Sequence, residues 1–198
     1  MKKEIIHTAM AGVLALALAG CQQSAEAPAD TTADSADATQ EAHVLAAALA
    51  IADLTDANGK NVGSVSVNEN ASGLALTLTV TGLTPGEHGV HIHETGTCTP
   101  PDFKSAGGHW NPGGKEHGLE NPKGSHEGDM PNLVVKDDGT GKLETTIDGA
   151  HIASGDNPLL DADGAAFVIH AGKDDQMTDP SGDSGDRIAC GVFEQPSM

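Results

Sequence analysis

Residues 86–98 read GEHGVHIHETGTC. Three histidines fall within six positions, and two of them, His91 and His93, stand two residues apart. In an extended strand alternate side chains point to the same face. The two imidazoles therefore project together, while Val90 and Ile92 face the other way into an apolar layer. Two neutral imidazoles on one rigid face make half of a copper or zinc site. A His-x-His pair also arises by chance, so the rest of the chain has to supply or deny the other half.

Outward from this stretch the chain reads as all-β. Val62–Val67 and Leu74–Val80 alternate apolar with small polar residues, the period of a half-buried strand. Further strands are expected at Val90–Glu94, Leu133–Lys136, Lys142–Ile147, Ala166–Ala171 and Ile188–Phe193. The alanine-rich segment Ala46–Ala52 is taken as a first strand, because Asp56-Ala57-Asn58-Gly59 has the composition of a hairpin turn leading into the next. Asp138-Gly139-Thr140-Gly141 is a second hairpin signal. Eight short strands predict an antiparallel sandwich or closed barrel. Aromatic residues are few (Phe103, Trp110, Phe167, Phe193), so aliphatic side chains must fill the core.

Two long segments, Thr99–Pro131 and Gly172–Asp186, carry no strand or helix pattern. A 33-residue loop in a compact domain calls for a function. The first loop contains His109, His117, His126 and Asp129, and a metal can order such a loop by cross-linking it. Together with His91, His93 and, far along the chain, His170, these residues make two candidate sets. Three imidazoles and a carboxylate suit tetrahedral zinc. Four nitrogens suit Cu(II), and His109, with two ring nitrogens, can serve both.

The N-terminus points to export. Met1-Lys2-Lys3 precedes an apolar run, about Ala9–Ala19, too short to span a bilayer and fitting a secretory signal over residues 1–20. Leu18-Ala19-Gly20-Cys21 resembles a bacterial lipobox, which makes Cys21 the lipidated mature N-terminus. Gln22 follows rather than Asp, which favours the outer membrane over the inner as the place of the anchor. Residues 21–43 are small and acidic and read as a disordered tether, leaving residues 44–198 as the domain. With Cys21 assigned to lipid, Cys98 and Cys190 remain as a pair in an oxidising compartment, where a disulfide is expected. A loop of that size corresponds to roughly 4–5 kcal/mol in the chain-entropy treatment.

The whole chain carries a formal net charge of −19, and residues 44–198 hold 23 acidic and 8 basic residues. So acidic a domain excludes nonspecific nucleic-acid binding. Any anionic substrate must be drawn in by a local positive field.

The strings HGVHIHETGTC, KSAGGHWNPGGKEHG, HEGDMPNL, FVIHAGKDD and GDRIACGVF, in that order over residues 88–193, closely resemble the bacterial periplasmic Cu,Zn superoxide dismutase family. The resemblance implies an eight-stranded Greek-key barrel with a long metal-binding loop and a second active-site loop. It implies copper on His91, His93, His109 and His170, zinc on His109, His117, His126 and Asp129, and a Cys98–Cys190 disulfide. The implied reaction converts superoxide to oxygen and hydrogen peroxide as copper cycles between Cu(II) and Cu(I). Arg187 is then the docking residue, and His109 both ligand and proton donor. Asp174 bridges a copper ligand and a zinc ligand, with Asp175 as the competing candidate. His88 takes a structural role bonding backbone. The sequence departs from the family at Val90, usually Phe, and at Asp183 and Asp186, where relatives carry mainly glycine.

Four lysines are candidates to focus anions alongside Arg187: Lys104, Lys115, Lys123 and Lys173. His43 and His151 have no evident partners and are expected to be solvent-exposed, and His7 is lost with the leader. The alternative function is periplasmic copper or zinc storage or delivery on the same barrel. Such a protein has no need to keep His170, a shared His109 and Arg187 together. Monomer and homodimer are both compatible with the sequence.

Overall fold

The structure, a computed structural model, describes residues 49–156 and 158–196. The expected signal peptide, Cys21, the tether, His43 and the start of the first predicted strand lie outside the described residues.

Nine strands form one antiparallel sheet: β1 Leu49–Asp56, β2 Asn61–Asn70, β3 Gly73–Val80, β4 Gly86–His88, β5 Val90–His93, β6 Leu133–Val135, β7 Gly141–Asp148, β8 Ala166–His170 and β9 Arg187–Val192. Their order is β4-β6-β7-β3-β2-β1-β9-β8-β5. The two end strands, β4 and β5, are separated in the chain by Gly89 alone, so the sheet curls into a nearly closed barrel.

Eight of these strands match those expected from the sequence, and β2 and β3 show the apolar alternation most plainly. Ala50, Ala52 and Leu54 of β1 point inward and meet Val65 and Val67 of β2 and Leu74, Leu76 and Leu78 of β3, all essentially inaccessible. β1 extends to Asp56, beyond the predicted Ala52, and its hairpin is built as expected. Asp56 Oδ1 accepts the N–H groups of Asn58 (2.8 Å) and Lys60 (3.0 Å). The second hairpin closes in the same way, with Asp138 Oδ1 accepting the Thr140 N–H (2.9 Å).

The ninth strand corrects the expected count of eight. Gly86-Glu87-His88 has no apolar period, and Gly86 and Glu87 are exposed. Backbone pairing alone makes it a strand, with Glu87 opposite Val134 and His88 opposite Leu133 of β6.

β5 is buried on both faces. Val90 and Ile92 enter the main core, as the alternation requires, while His91 and His93 face outward into the space beneath the long loop. A second, smaller apolar cluster of Phe103, Ala106, Ala166, Val168 and Cys190 covers the outer face of β8 and β9. The disulfide Cys98–Cys190 ties the loop to this face, with its Cα atoms 5.7 Å apart, inside the ordinary range for a disulfide.

The loop is then bonded to β5 itself. Ile92 donates its N–H to Gly128 O (3.0 Å) and accepts from Trp110 N–H (2.8 Å), while Gly128 N–H donates to Trp110 O (2.9 Å). These bonds set His109 and Asp129 beside the strand. Gly128 has to be glycine here, because a Cβ would fall on the Ile92 carbonyl.

Candidate metal centre

His91 and His93 come from β5, His170 ends β8, and His109 is bonded alongside His93 by the loop. All four are buried, and in each one ring nitrogen is engaged. His91 Nε2–H donates to Asp174 Oδ2 (2.8 Å), and His93 Nδ1–H to Gly107 O (3.0 Å). His109 Nδ1–H donates to Asp129 Oδ1 (2.9 Å) and His170 Nδ1–H to Gly185 O (3.1 Å). Carboxylates and carbonyls only accept, so these partners fix the tautomer and leave the other nitrogen a bare lone pair.

Those four nitrogens, His91 Nδ1, His93 Nε2, His109 Nε2 and His170 Nε2, are buried and have no hydrogen-bond partner. The four residues place ligand atoms within 4.8 Å of one another. A buried acceptor left bare costs about 1–3 kcal/mol. Four such groups converging on one point fit a cation with a nitrogen preference. Burial also holds the imidazoles neutral, pulling His91 down to about 3 and His170 to about 4, with His93 well below and His109 below the ordinary value of 6.5.

The second set is arranged differently. Asp129 Oδ1 receives His109 Nδ1 (2.9 Å), His117 Nδ1 (2.9 Å) and His126 Nδ1 (3.2 Å), and His126 Nδ1 lies 3.3 Å from His109 Nδ1. A tetrahedron with ligand bonds of 2.0–2.1 Å has edges of roughly 3.3–3.4 Å, so these four donor atoms lie at about the spacing that zinc asks for. By proximity alone His91 joins His109, His117 and Asp129, because its ring stacks on His109 with centroids 3.9 Å apart. Its nitrogens, however, are spoken for: Nε2 faces Asp174 and Nδ1 the first set. His126 is the chemically sensible fourth member.

Asp174, not Asp175, lies between the two sets. Its Oδ2 takes His91 Nε2, and its Oδ1 takes His117 Nε2 at 3.0 Å. Asn132 clamps it through two 2.8 Å bonds, one to each side of the Asp174 backbone, and the Gln176 N–H adds a bond to Oδ1 (2.6 Å). Asp175 caps the turn that follows, accepting from Thr178.

Burial opposes charge on His117, but carboxylates at both of its nitrogens outweigh this and raise it to about 9. Burial works against charge on Asp129 and Asp174 too, yet the bonds from these histidines hold both well below the ordinary carboxylate range.

A cleft of about 550 Å³ opens over the first set, lined by His93, His109, His126, His170, Lys115 and Arg187 among others. Arg187 starts β9 opposite His170. Its Nη1–H donates to Phe103 O (2.8 Å) and its Nη2–H to Gly107 O (2.7 Å), the same carbonyl that orients His93. The guanidinium is thereby held rigid beside the imidazoles with N–H groups to spare.

Several expectations about the remaining polar residues resolve here. Both His88 ring nitrogens face backbone carbonyls, of His170 and Thr84, each at 2.8 Å. His151 is not free: its Nδ1 lies 2.7 Å from Glu69 Oε1, and Glu69 Oε2 accepts the Ile152 N–H. The strand pattern gave no hint of that pairing, which spans 82 residues. Three of the four lysines are matched by carboxylates: Lys104 by Asp102 (3.4 Å), Lys123 by Glu116 (2.8 Å) and Lys173 by Glu87 (2.9 Å).

Sequence reasoning missed Asn132 and Glu94. Asn132 sits inside the HEGDMPNL string, but only the fold brings it to Asp174. Glu94 follows His93 directly, and its Oε1 accepts the Gly108 N–H (2.9 Å) just before His109.

The fold and paired histidine sets define a β-barrel protein with two adjacent candidate metal sites, and comparison with known proteins gives it a family. The copper/zinc superoxide dismutase (SODC) family profile matches residues 61–193. A relative, superoxide dismutase [Cu-Zn] 2 of Aquifex aeolicus, is 46% identical over 144 residues, covering 72% of this chain and 84% of its own. The crystal structure of a SOD-like protein from Bacillus subtilis matches with a TM-score of 0.69 at 43% identity, covering 72% of this chain and 96% of that one. Cu/Zn superoxide dismutase from Brucella abortus matches with a TM-score of 0.57 at 30% identity, covering 74% and 99%. The chain belongs to the copper/zinc superoxide dismutase family. Its disulfide and its bacterial relatives agree with a location outside the cytoplasm.

Proposed function

We propose that this protein is an active superoxide dismutase, with copper held by His91, His93, His109 and His170 and zinc by His109, His117, His126 and Asp129. The observation that carries this reading is the set of four convergent bare imidazole nitrogens, three of them on residues that line a cleft also lined by Arg187. A metal store needs the donors but has no use for a docked guanidinium beside them.

The reaction takes two superoxide ions and two protons to one oxygen and one hydrogen peroxide. Copper held at these nitrogens supplies the one-electron chemistry by alternating between Cu(II) and Cu(I). The chain's own residues do the rest. Arg187 receives the anion on its free N–H groups, a charge-assisted contact that orients the small substrate over the imidazoles. His109 Nε2 faces the cleft, and when it carries a proton it can donate it to the reduced oxygen species. Asp174 holds the rings of His91 and His117 in the required tautomers by accepting from their Nε2–H groups, which is how outer carboxylates tune metal sites.

Upstream of the domain at residues 44–198, residues 1–20 act as a lipoprotein signal peptide. Cys21 carries the lipid, and residues 21–43 tether the enzyme to the outer membrane facing the periplasm. Labelling with a fatty acid should mark the wild-type chain and not the Cys21→Ser variant.

The deciding experiment is metal analysis together with a superoxide dismutation assay. About one copper and one zinc per chain with activity is the expected result. A fully loaded but inactive protein would sink this reading in favour of metal storage or delivery.

A further inference from the structure

We propose that Glu94 is a positioning residue for both His93 and Arg187: its carboxylate holds and polarises the one peptide, Gly107–Gly108, to which both side chains are bonded. The inference rests on the copper assignment above and adds to it a residue that is not itself a metal donor. The carbonyl of that peptide, Gly107 O, accepts from His93 Nδ1–H (3.0 Å) and from Arg187 Nη2–H (2.7 Å). Its N–H, that of Gly108, donates to Glu94 Oε1 (2.9 Å). A carboxylate therefore sits at one end of the peptide dipole, and an imidazole and a guanidinium at the other.

The peptide is built into this place from both strand and loop. Glu94 N–H donates to Gly108 O (3.0 Å) and Thr95 N–H to Ala106 O (3.1 Å), so residues 106–108 run along the end of β5. Gly107 has a φ of 76°, and a Cβ there would fall 2.8 Å from Glu94 Oε1 and 2.9 Å from Glu94 Cγ. The space a side chain would need is the space the carboxylate occupies. His109 is anchored separately, through Asp129 at Nδ1 and through the Trp110 N–H to Ile92 O bond. Glu94 thus acts on His93 and Arg187 rather than on the shared histidine.

Hydrogen bonds in a chain polarise one another, and a bond to an ionised acceptor is about twice as strong as a neutral one. Glu94 draws on the Gly108 proton and makes Gly107 O a stronger acceptor. His93, donating to a more negative oxygen, becomes a more basic ligand at Nε2, and the guanidinium is held more firmly. His91 and His109 lean on carboxylates directly, whereas His93 reaches one through a peptide.

The test compares wild type with Glu94→Ala, which removes bond and charge, and Glu94→Gln, which keeps an uncharged acceptor for the Gly108 N–H. Glu94 is exposed, on the cleft wall. In proton NMR of the metal-free proteins, the Gly108 amide and His93 Nδ1–H resonances should move upfield in Glu94→Gln and further in Glu94→Ala. The Arg187 guanidinium signals should broaden in Glu94→Ala alone. Copper affinity, read by competition with a chelator of known affinity, should fall about tenfold in Glu94→Ala and less in Glu94→Gln, with zinc affinity kept. The loss should persist in about 1 M salt, where the Debye length is about 3 Å and the field of an exposed carboxylate is screened. An unmoved His93 Nδ1–H resonance with wild-type copper affinity overturns the proposal. So does a loss that vanishes at high salt, which would be a through-space charge effect, or one that takes zinc with it, which would be an effect on the fold. Should Glu94→Ala fail to fold, Glu94→Gln decides on the same two readouts. Neither readout needs turnover: a metal-loaded wild type without activity sinks the dismutase reading, and these measurements still decide the role of Glu94.

Discussion

The two histidine sets share His109 and lie side by side, yet they hold their donors in opposite ways. The strand-borne set points four bare lone pairs at one another, each imidazole neutral because burial removes the proton. The loop-borne set closes on itself, with Asp129 at its centre gathering three imidazoles and His117 carrying a proton between two carboxylates. Ladder hydrogen bonds hold β5 and β8 whether or not anything is bound, so the first set can stay open. A loop has no such frame, and without a metal its polar groups must satisfy one another. The metal that enters there must therefore displace a proton.

The largest effect expected from this contrast is on activity. His170→Ala removes a strand-borne donor and leaves the loop set intact. It should cost more than about 100-fold in dismutation while zinc is retained. Survival of activity would break the assignment of the first set.

The loop set should show its proton. Because His117 is raised to about 9, zinc uptake near neutrality releases one proton from it. Zinc affinity should then climb about tenfold per pH unit between pH 7 and 9 and level off above. A competition titration with a chelator of known affinity reads this directly, and a flat profile would mean that the loop set holds no proton.

Asp174→Asn tests the link between the sets. It removes the carboxylate shared by His91 and His117, and should weaken both metals by about 10–100-fold. Loss at one metal only would show that the two sets are held independently.

The smallest shift is expected in the metal-free protein. His91, His93, His109 and His170 have folded values below their unfolded ones, so the unfolded chain takes up protons first as pH falls below about 6.5. His117 is raised to about 9, so its contribution is fully present below about 6.5 and is lost only as pH rises toward 9. Asp129 and Asp174 begin to matter only below about 4. Calorimetry should therefore show Tm falling by several degrees between pH 6.5 and 4.5, and the metal-loaded protein falling less.

The barrel was largely legible because its code is local. Val65 and Val67, and Leu74, Leu76 and Leu78, alternate in the sequence as they alternate across the sheet. The same alternation placed His91 and His93 on one face. β4 escaped notice because it contributes backbone hydrogen bonds and almost no apolar surface, and a strand without a buried face leaves no periodic trace. The His151–Glu69 pair escaped for a related reason: charge complementarity across 82 residues has no sequence period.

For the site, residue types and spacings determined which donors were available: seven side chains from His91 to His170, an arginine three residues before Cys190, and two cysteines left for each other. Only the tertiary structure decided how they are used. It chose Asp174 over Asp175 by turning one carboxylate between His91 and His117 and spending the other on a turn. It separated Lys115 from Lys104, Lys123 and Lys173 by giving the latter three carboxylate partners. The physical reason is range. Hydrogen-bond direction and charge pairing act over a few ångströms in space and are blind to distance along the chain, whereas strand alternation repeats every second residue and is written in the sequence itself.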